Sequence, residues 1–277
     1  MKWIMVPFIL FSHWYYVPLE SPANPVEIEA IDLHLKKTEL AMTFFSLTDG
    51  EAALIQHPNG KNVLINSGGQ NTKQELKNLL ALYHVKQIDT VLLTSNKSCC
   101  MHNLEWVINQ YSVRNLMSGV SATEQLQRLE SLRGNVNIQT FSAGEQAEPL
   151  PGVIVEAIHD DNGIDLEINF LKKRILWLNQ PKHDPKLYLP DNETVGTTIV
   201  KLPGRLTKEF VSEEVMKELD PQIAFFFPEN RQEINDDLLE QLQHSWVRVY
   251  HNHDIGAITV KFTEKNYEIL KISNEKK

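Results

Sequence analysis

The sequence predicts an α/β chain of mixed α+β type, built as two mixed sheets packed face to face with helices outside, a four-layer αβ/βα sandwich. Three observations carry this. Apolar residues switch repeatedly between a period of two and helical spacing. Meander-like strands open each half of the chain and helix-linked strands close it. The stretch Ile88 to Thr94 is near-continuously apolar, as in a strand covered on both faces.

Taken in order, Val26 to Leu35 alternates apolar with polar and predicts a half-buried strand. Met42 to Leu47, Ala52 to Gln56 and Asn62 to Asn66 predict three more. His57-Pro58-Asn59-Gly60 is a turn, because proline fixes φ and glycine accepts a left-handed backbone. Thr72 with Glu75 predicts a capping box ahead of a helix carrying Leu76, Leu79, Leu80 and Tyr83. Leu104 to Tyr111 is a short helix and Val113 to Met117 a strand. Ser121 with Glu124 predicts a second capping box before Leu126, Leu129 and Leu132. The second half repeats the mixture. Val136 to Phe141, Val153 to Ile158, Asp165 to Phe170, Arg174 to Leu178 and Thr197 to Leu202 are strands. Ser212 to Leu219 is a helix halted by Asp220-Pro221, since proline disfavours helix in the residue before it. A strand over Gln222 to Phe227, a helix over Ile234 to Leu242, and strands over Trp246 to Tyr250, Ala257 to Phe262 and Tyr267 to Ile272 complete the chain.

Composition bounds the function. The 277 residues have 42% hydrophobic and 23% charged content and a net charge of -9. Disorder is excluded, and bulk-charge attraction to nucleic acid is disfavoured because phosphate binding needs a concentrated positive face. The two cysteines, Cys99 and Cys100, cannot build a disulfide framework or a Cys-rich zinc site, and a bridge between sequence neighbours is strained. Trp3 to Phe11 is an apolar run behind Lys2, too short for a span of about 20 residues. It reads as a secretory h-region, with a buried N-terminal strand as the alternative reading. Ser21-Pro22-Ala23 supplies a small-x-small site. Residues 1–23 are therefore expected to be a signal peptide or membrane anchor, the only route to a membrane. Residues 24–277 are expected to be one domain, secreted or anchored outside the cytoplasm.

The run Phe45 to Ile55 with Asp49-Gly50-Glu51-Ala52, then Pro58 to Lys61, then Val63 to Gly69 resembles the start of a metallo-β-lactamase-fold domain. It is most similar to the hydrolase-like domain of ComEC-type competence proteins and their free-standing relatives. The resemblance continues through Ile88 to Thr94, Val200-Lys201-Leu202-Pro203, Pro221 to Phe226, and Val249-Tyr250 into Gly256 to Val260. It implies a metal-dependent hydrolase ancestry, and by analogy alone a link to DNA uptake. The family's ligand positions depart from the pattern. Where it carries His-x-His-x-Asp-His, this chain has Ser95, Lys97, Cys99 and Cys100. The bridging Asp falls at Asn179 or Gln180, the His-His-Gly-Ser run begins at Gly204 and Arg205, and the Asp of Ile-Asp-x-Gly is Asn66. Ser is a poor zinc ligand, and lysine brings positive charge to a cation's seat.

The resemblance therefore implies a metal-free module whose former pocket, at Asn66, Ser95, Lys97, Cys99, Cys100, His102, Asn179, Gln180, Gly204 and Arg205, binds a ligand or partner that the sequence does not identify. No catalytic or metal-ligating residue is assigned. One alternative is a zinc or manganese hydrolase, a phosphodiesterase, with displaced ligands at His102, His159, Asp160, Asp161 and His183. Another is a cysteine-dependent activity at Cys99 or Cys100, with His102 the nearest base. His251-Asn252-His253-Asp254 reads as a solvated turn rather than a surface metal site. Lys172, Lys173, Arg174, Lys182, His183 and Lys186 read as a solvated basic face, and Phe225 to Phe227 with Trp246 as core. Ser67-Gly68-Gly69 lacks the spacing and the lysine of a phosphate loop.

Overall fold

A computed structural model describes residues 30–129, 136–161, 163–179, 188, 196–203, 213–227, 247–251 and 256–272. The first half contains β1 (Leu40–Phe45), β2 (Ala53–Gln56), β3 (Asn62–Ile65), α1 (Lys73–Leu82), β4 (Thr90–Leu93), α2 (Ser98–Met101), α3 (Leu104–Tyr111), β5 (Asn115–Gly119), α4 (Thr123–Gln127) and β6 (Asn137–Phe141). The second contains β7 (Gln146–Leu150), β8 (Val153–Asp160), β9 (Ile164–Phe170), β10 (Lys173–Trp177), β11 (Thr197–Leu202), α5 (Glu213–Leu219), β12 (Ile223–Phe226), β13 (Arg248–His251), β14 (Ala257–Phe262) and β15 (Tyr267–Ile272). Among the described residues, one sheet runs β15-β14-β1-β2-β3-β4-β5-β6 and the other β13-β12-β11-β10-β9-β8-β7.

Side-chain alternation sorts each strand into two layers. Val63, Ile65 and Leu92 point between the sheets, where they meet Ile168, Trp177, Ile199 and Phe225. Leu64, Val91 and Leu93 point outward against Leu76 and Leu80 of α1 and Leu104 and Val107 of α3. On the far side Leu176, Val200 and Phe226 receive Met216 and Leu219 of α5. That is helix, sheet, sheet, helix, the architecture the sequence predicts. Aromatic stacking marks the centre: the rings of Phe44 and Phe225 lie 3.8 Å apart at 11°.

Strands β3 to β6 are parallel, as are β10 to β13. Their carboxyl ends leave each sheet from one edge, the place where loops of open α/β sheets form sites.

Several expectations are corrected. The strand expected over Val26 to Leu35 is irregular over its described part, 30–35. Its alternation is real: Ile31 and Leu33 pack on the outer core while Asp32 and His34 face solvent, but the segment joins no strand; Ile31 N–H donates to Leu82 O of α1 at 2.7 Å and His34 N–H to Asp32 Oδ1 at 2.8 Å. Neither expected capping box forms. Thr72 Oγ1 instead donates to Gly69 O at 2.9 Å, Glu75 accepts from Thr48 N–H and Oγ1 at 2.8 Å each, and Ser121 lies within a 3-10 turn, Val120–Ala122. Strand β7 carries few apolar residues because it is an edge strand, half exposed, with Pro149 tolerated there. Cys99 and Cys100 lie in the short α2, a helix not foreseen in the sequence. Arg174 is no part of a solvated face. It is buried, donating Nε to Glu167 Oε2 at 2.8 Å, Nη1 to Thr197 Oγ1 at 3.0 Å and Nη2 to Tyr188 O at 2.6 Å. The expected helix over 234–242, residues 1–23, and Gln180, Lys182, His183, Lys186, Gly204, Arg205, Trp246 and 252–254 lie outside the described residues.

Candidate functional site

Parallel strands bring two loops to one level. Asn66 follows β3 and Thr94 follows β4; β3 and β4 pair with Ile65 opposite Leu92. Asn66 has a φ of 59°, left-handed backbone that asparagine tolerates better than most residues. That conformation turns its amide onto the neighbouring loop. Its Nδ2 donates to Thr94 Oγ1 at 2.9 Å and reaches Glu51 Oε2 at 3.4 Å, while its Oδ1 accepts Thr94 N–H at 2.9 Å.

The second sheet supplies the opposite wall. Asn179, just past β10, gives its Nδ2 to Thr94 O at 3.2 Å and Ile164 O at 2.5 Å, and its Oδ1 lies 3.3 Å from Thr94 Oγ1. Asn179 N–H donates to the buried Asp165 carboxylate at 2.6 Å, and Tyr188 OH to the same group at 3.3 Å. Gly163 closes this wall. A β-carbon there would stand 2.9 Å from Thr94 O, 3.5 Å from Ser95 Cβ and 3.6 Å from Asn179 Cβ. Asn66, Ser95 and Asn179 therefore do meet at the junction of the two sheets.

Two residues outside the candidate set organise its floor. Lys201, on the inward face of β11, has no exposed surface; its Nζ is 2.7 Å from Glu51 Oε1 and 3.4 Å from Leu178 O. The ammonium also stands 5.0 Å over the Trp177 ring and 5.8 Å over Phe227. The sequence held a signal for this pair: Lys201 is the lone charge of strand β11, set between Val200 and Leu202, and a buried charge must be paired. Glu51 is placed by a tight loop crossing. Its N–H donates to Cys99 O at 2.9 Å, and at Gly50, φ 78°, a β-carbon would sit 2.2 Å from that same oxygen.

The remaining candidates are spread around this core. Lys97 is exposed, and its N–H donates to Ser95 Oγ at 3.2 Å. Cys100 O accepts Ser67 N–H at 2.7 Å. Hydrogen bonding to the Cys99 sulfur, burial and the Glu51 charge together push the Cys100 thiol well above the ordinary thiol range. That is the reverse of what a thiolate nucleophile needs. His102, the candidate base, turns Nδ1 toward Ser98 Oγ at 3.4 Å. His159 Nε2 lies 3.1 Å from Asp161 Oδ2, and Asp160 Oδ2 accepts Val120 N–H at 2.6 Å.

A hydrolytic zinc centre needs imidazoles and carboxylates converging with one position left open. Among the described residues no three His, Cys, Asp or Glu side chains come together. The side chains at the sheet junction are two amides, the hydroxyls of Thr94 and Ser95 and an ammonium; of the two carboxylates beside them, Glu51 holds the ammonium and Asp165 takes Asn179 N–H and Tyr188 OH. This described set does not suit a divalent cation.

No protein-family model and no curated protein matches the sequence. Solved structures do. The metallo-β-lactamase fold protein YhfI from Bacillus subtilis is similar over 81% of this chain and 100% of its own, at 12% identity and a TM-score of 0.62. Zinc-bound PqqB from Methylobacterium extorquens is similar over 76% of this chain and 86% of its own, at 13% identity and a TM-score of 0.57. A diphosphatase of the PhnP family is similar over 81% of this chain and 97% of its own, at 14% identity and a TM-score of 0.56. At such identities the likeness is one of architecture, and in that architecture the chain has the metallo-β-lactamase fold.

Proposed function

We propose that this chain is a metal-free binding or accessory module on the metallo-β-lactamase fold, acting outside the cytoplasm behind residues 1–23. The Lys201–Glu51 pair carries the reading: a fixed ammonium holds the carboxylate at the sheet junction, 2.7 Å away. The likeness of the strand and turn segments to the competence domain supports a role linked to DNA uptake. What such a module binds is a ligand or protein partner rather than a substrate for hydrolysis.

Elemental analysis of the full chain purified without chelator tests this. The expected content is well under one zinc or manganese per chain. Near-stoichiometric metal, lost in a His159→Ala/His183→Ala double variant, would overturn the reading in favour of a displaced-ligand phosphodiesterase. One observation favours that second reading: Asp160 Oδ1 is buried without a hydrogen-bond partner among the described residues.

A further inference from the structure

Cys99 and Cys100 are the chain's two cysteines, and their sulfurs lie 3.5 Å apart. Adjacent residues of a helix point about 100° apart, so the convergence comes from how the side chains are held in α2. Cys99 is half-buried and open to reagents, Cys100 buried behind it. Their backbone is pinned: Cys99 O accepts Glu51 N–H at 2.9 Å, and Cys100 O accepts both Ser67 N–H at 2.7 Å and Ser67 Oγ at 3.2 Å.

We propose that these sulfurs form a vicinal dithiol site for a thiophilic metalloid or metal centre, taken up through two bent thiolate bonds. Two bonds of about 2.3 Å at a tetrahedral angle place sulfurs roughly 3.8 Å apart, close to the separation present. A disulfide is the poorer outcome. It needs sulfurs about 2.05 Å apart and Cα atoms at least about 4.4 Å apart, whereas neighbours across a trans peptide are fixed at about 3.8 Å. The protonated state of Cys100 also slows oxidants that attack thiolates. No third His, Cys, Asp or Glu joins the pair among the described residues. The site therefore suits a centre that needs two bonds from protein and brings its remaining substituent with it. A monosubstituted trivalent arsenical is the matching probe. With the dihydroxy arsenical that phenylarsine oxide forms in water, two S–H and two As–O bonds break, two As–S bonds form, two waters leave, and arsenic stays trivalent. The inference is independent of the proposed function.

The test uses the folded full chain with phenylarsine oxide and excess 2-mercaptoethanol, read by intact mass. One phenylarsenic group per chain is expected, retained against the monothiol and removed by 2,3-dimercaptopropanol. Cys99→Ser is expected to lower retention by roughly a hundredfold, because a second bond made within one molecule gains that order of effective concentration. Cys100→Ser should behave alike; if it fails to fold, the half-buried Cys99 variant carries the test. Uptake only after denaturation, or equal retention by Cys99→Ser, would overturn the proposal.

Discussion

Replacing Lys201 with methionine isolates the contact on which the interior depends. Methionine has nearly the length of the lysine stem, so the apolar contacts with Trp177 and Phe227 survive while the ammonium goes. What remains is the Glu51 carboxylate without its cation. With Lys201 fully enclosed and the Glu51 side chain 11% exposed, solvent gives little relief. Breaking a buried pair from one side costs roughly 3–5 kcal/mol. For a domain of this size each kcal/mol moves the melting temperature by about 2–4 °C, so Lys201→Met should melt roughly 6–20 °C lower, followed by circular dichroism and by urea titration. Glu51→Gln, which strands the ammonium instead, should lose a comparable amount. The double variant Lys201→Met/Glu51→Gln should return to within about 2 kcal/mol of the wild type, because a buried pair replaced on both sides is near neutral. The coupling from that cycle is then large and favourable. A loss under about 1 kcal/mol in the single lysine variant, or strictly additive losses in the double, would refute the view that this pair is paired, dry and structural.

Three further outcomes follow from the same geometry. Asn66→Asp restores the carboxylate of the resembled family but removes the amide donor to Thr94 Oγ1 and sets a second negative charge beside Glu51; it should cost about 2–3 kcal/mol at neutral pH. Two carboxylates so close repel each other while both are ionised, so that loss should shrink as pH falls toward about 4; pH-independent destabilisation would contradict it. Gly50→Ala places a β-carbon 2.2 Å from Cys99 O and 2.3 Å from Gly69 N, both backbone atoms, and should lower stability by at least about 2–3 kcal/mol in urea titration; a wild-type midpoint would show that the loop crossing is loose. Burial pushes the Tyr83 hydroxyl up, as burial and its neighbours push up the Cys100 thiol. Both groups favour the protonated native state, so stability is full below their unfolded values of about 10 and 8.5. It falls above them by as much as about 1.4 kcal/mol per pH unit per group. Cys100→Ala should remove the earlier part of the alkaline fall and Tyr83→Phe the later part; unchanged slopes would sink the assignment.

What the sequence made legible was set by how much of each signal is local. Strands β11, β14 and β15 coincide with their expected bounds because each is an uninterrupted β-rich run between turns. Edge strand β7 escaped notice because a strand paired on one side and half exposed has no reason to be apolar. The capping boxes failed for a different reason. Thr72 and Glu75 have the right spacing, but Thr72 is fully buried and bound to Gly69 O and Asn103 Nδ2, while Glu75 reaches the loop at Thr48. Tertiary partners took both side chains from the helix end. Arg174 reads as surface for a related reason: a charged residue looks solvated until the strand that pairs it, here through Glu167 seven residues away, is in place.

The order of atoms at the sheet junction explains why its polar groups need no outside partner. Thr94 N–H can only donate, so the atom of Asn66 facing it at 2.9 Å is the oxygen, and this fixes the amide orientation. The Asn66 Nδ2 then faces Thr94 Oγ1 and Glu51. Thr94 has one hydroxyl hydrogen; having accepted from Asn66 Nδ2, it donates to an amide oxygen of Asn66 or Asn179, at 3.2 and 3.3 Å. Asn179 spends its own donors on Thr94 O and Ile164 O. Glu51 takes the Lys201 ammonium on the oxygen that Asn66 leaves open. Each of these groups thus finds its complement within the junction: Asn66 pairs with Thr94 and Glu51 of its own sheet, while Asn179 and Lys201 reach across from the other. A carboxylate at 66 or 179 would break that closure by removing donors and adding charge. The amides at these two positions and the lysine at 201 therefore form one interdependent solution: whichever is changed first leaves the others mismatched.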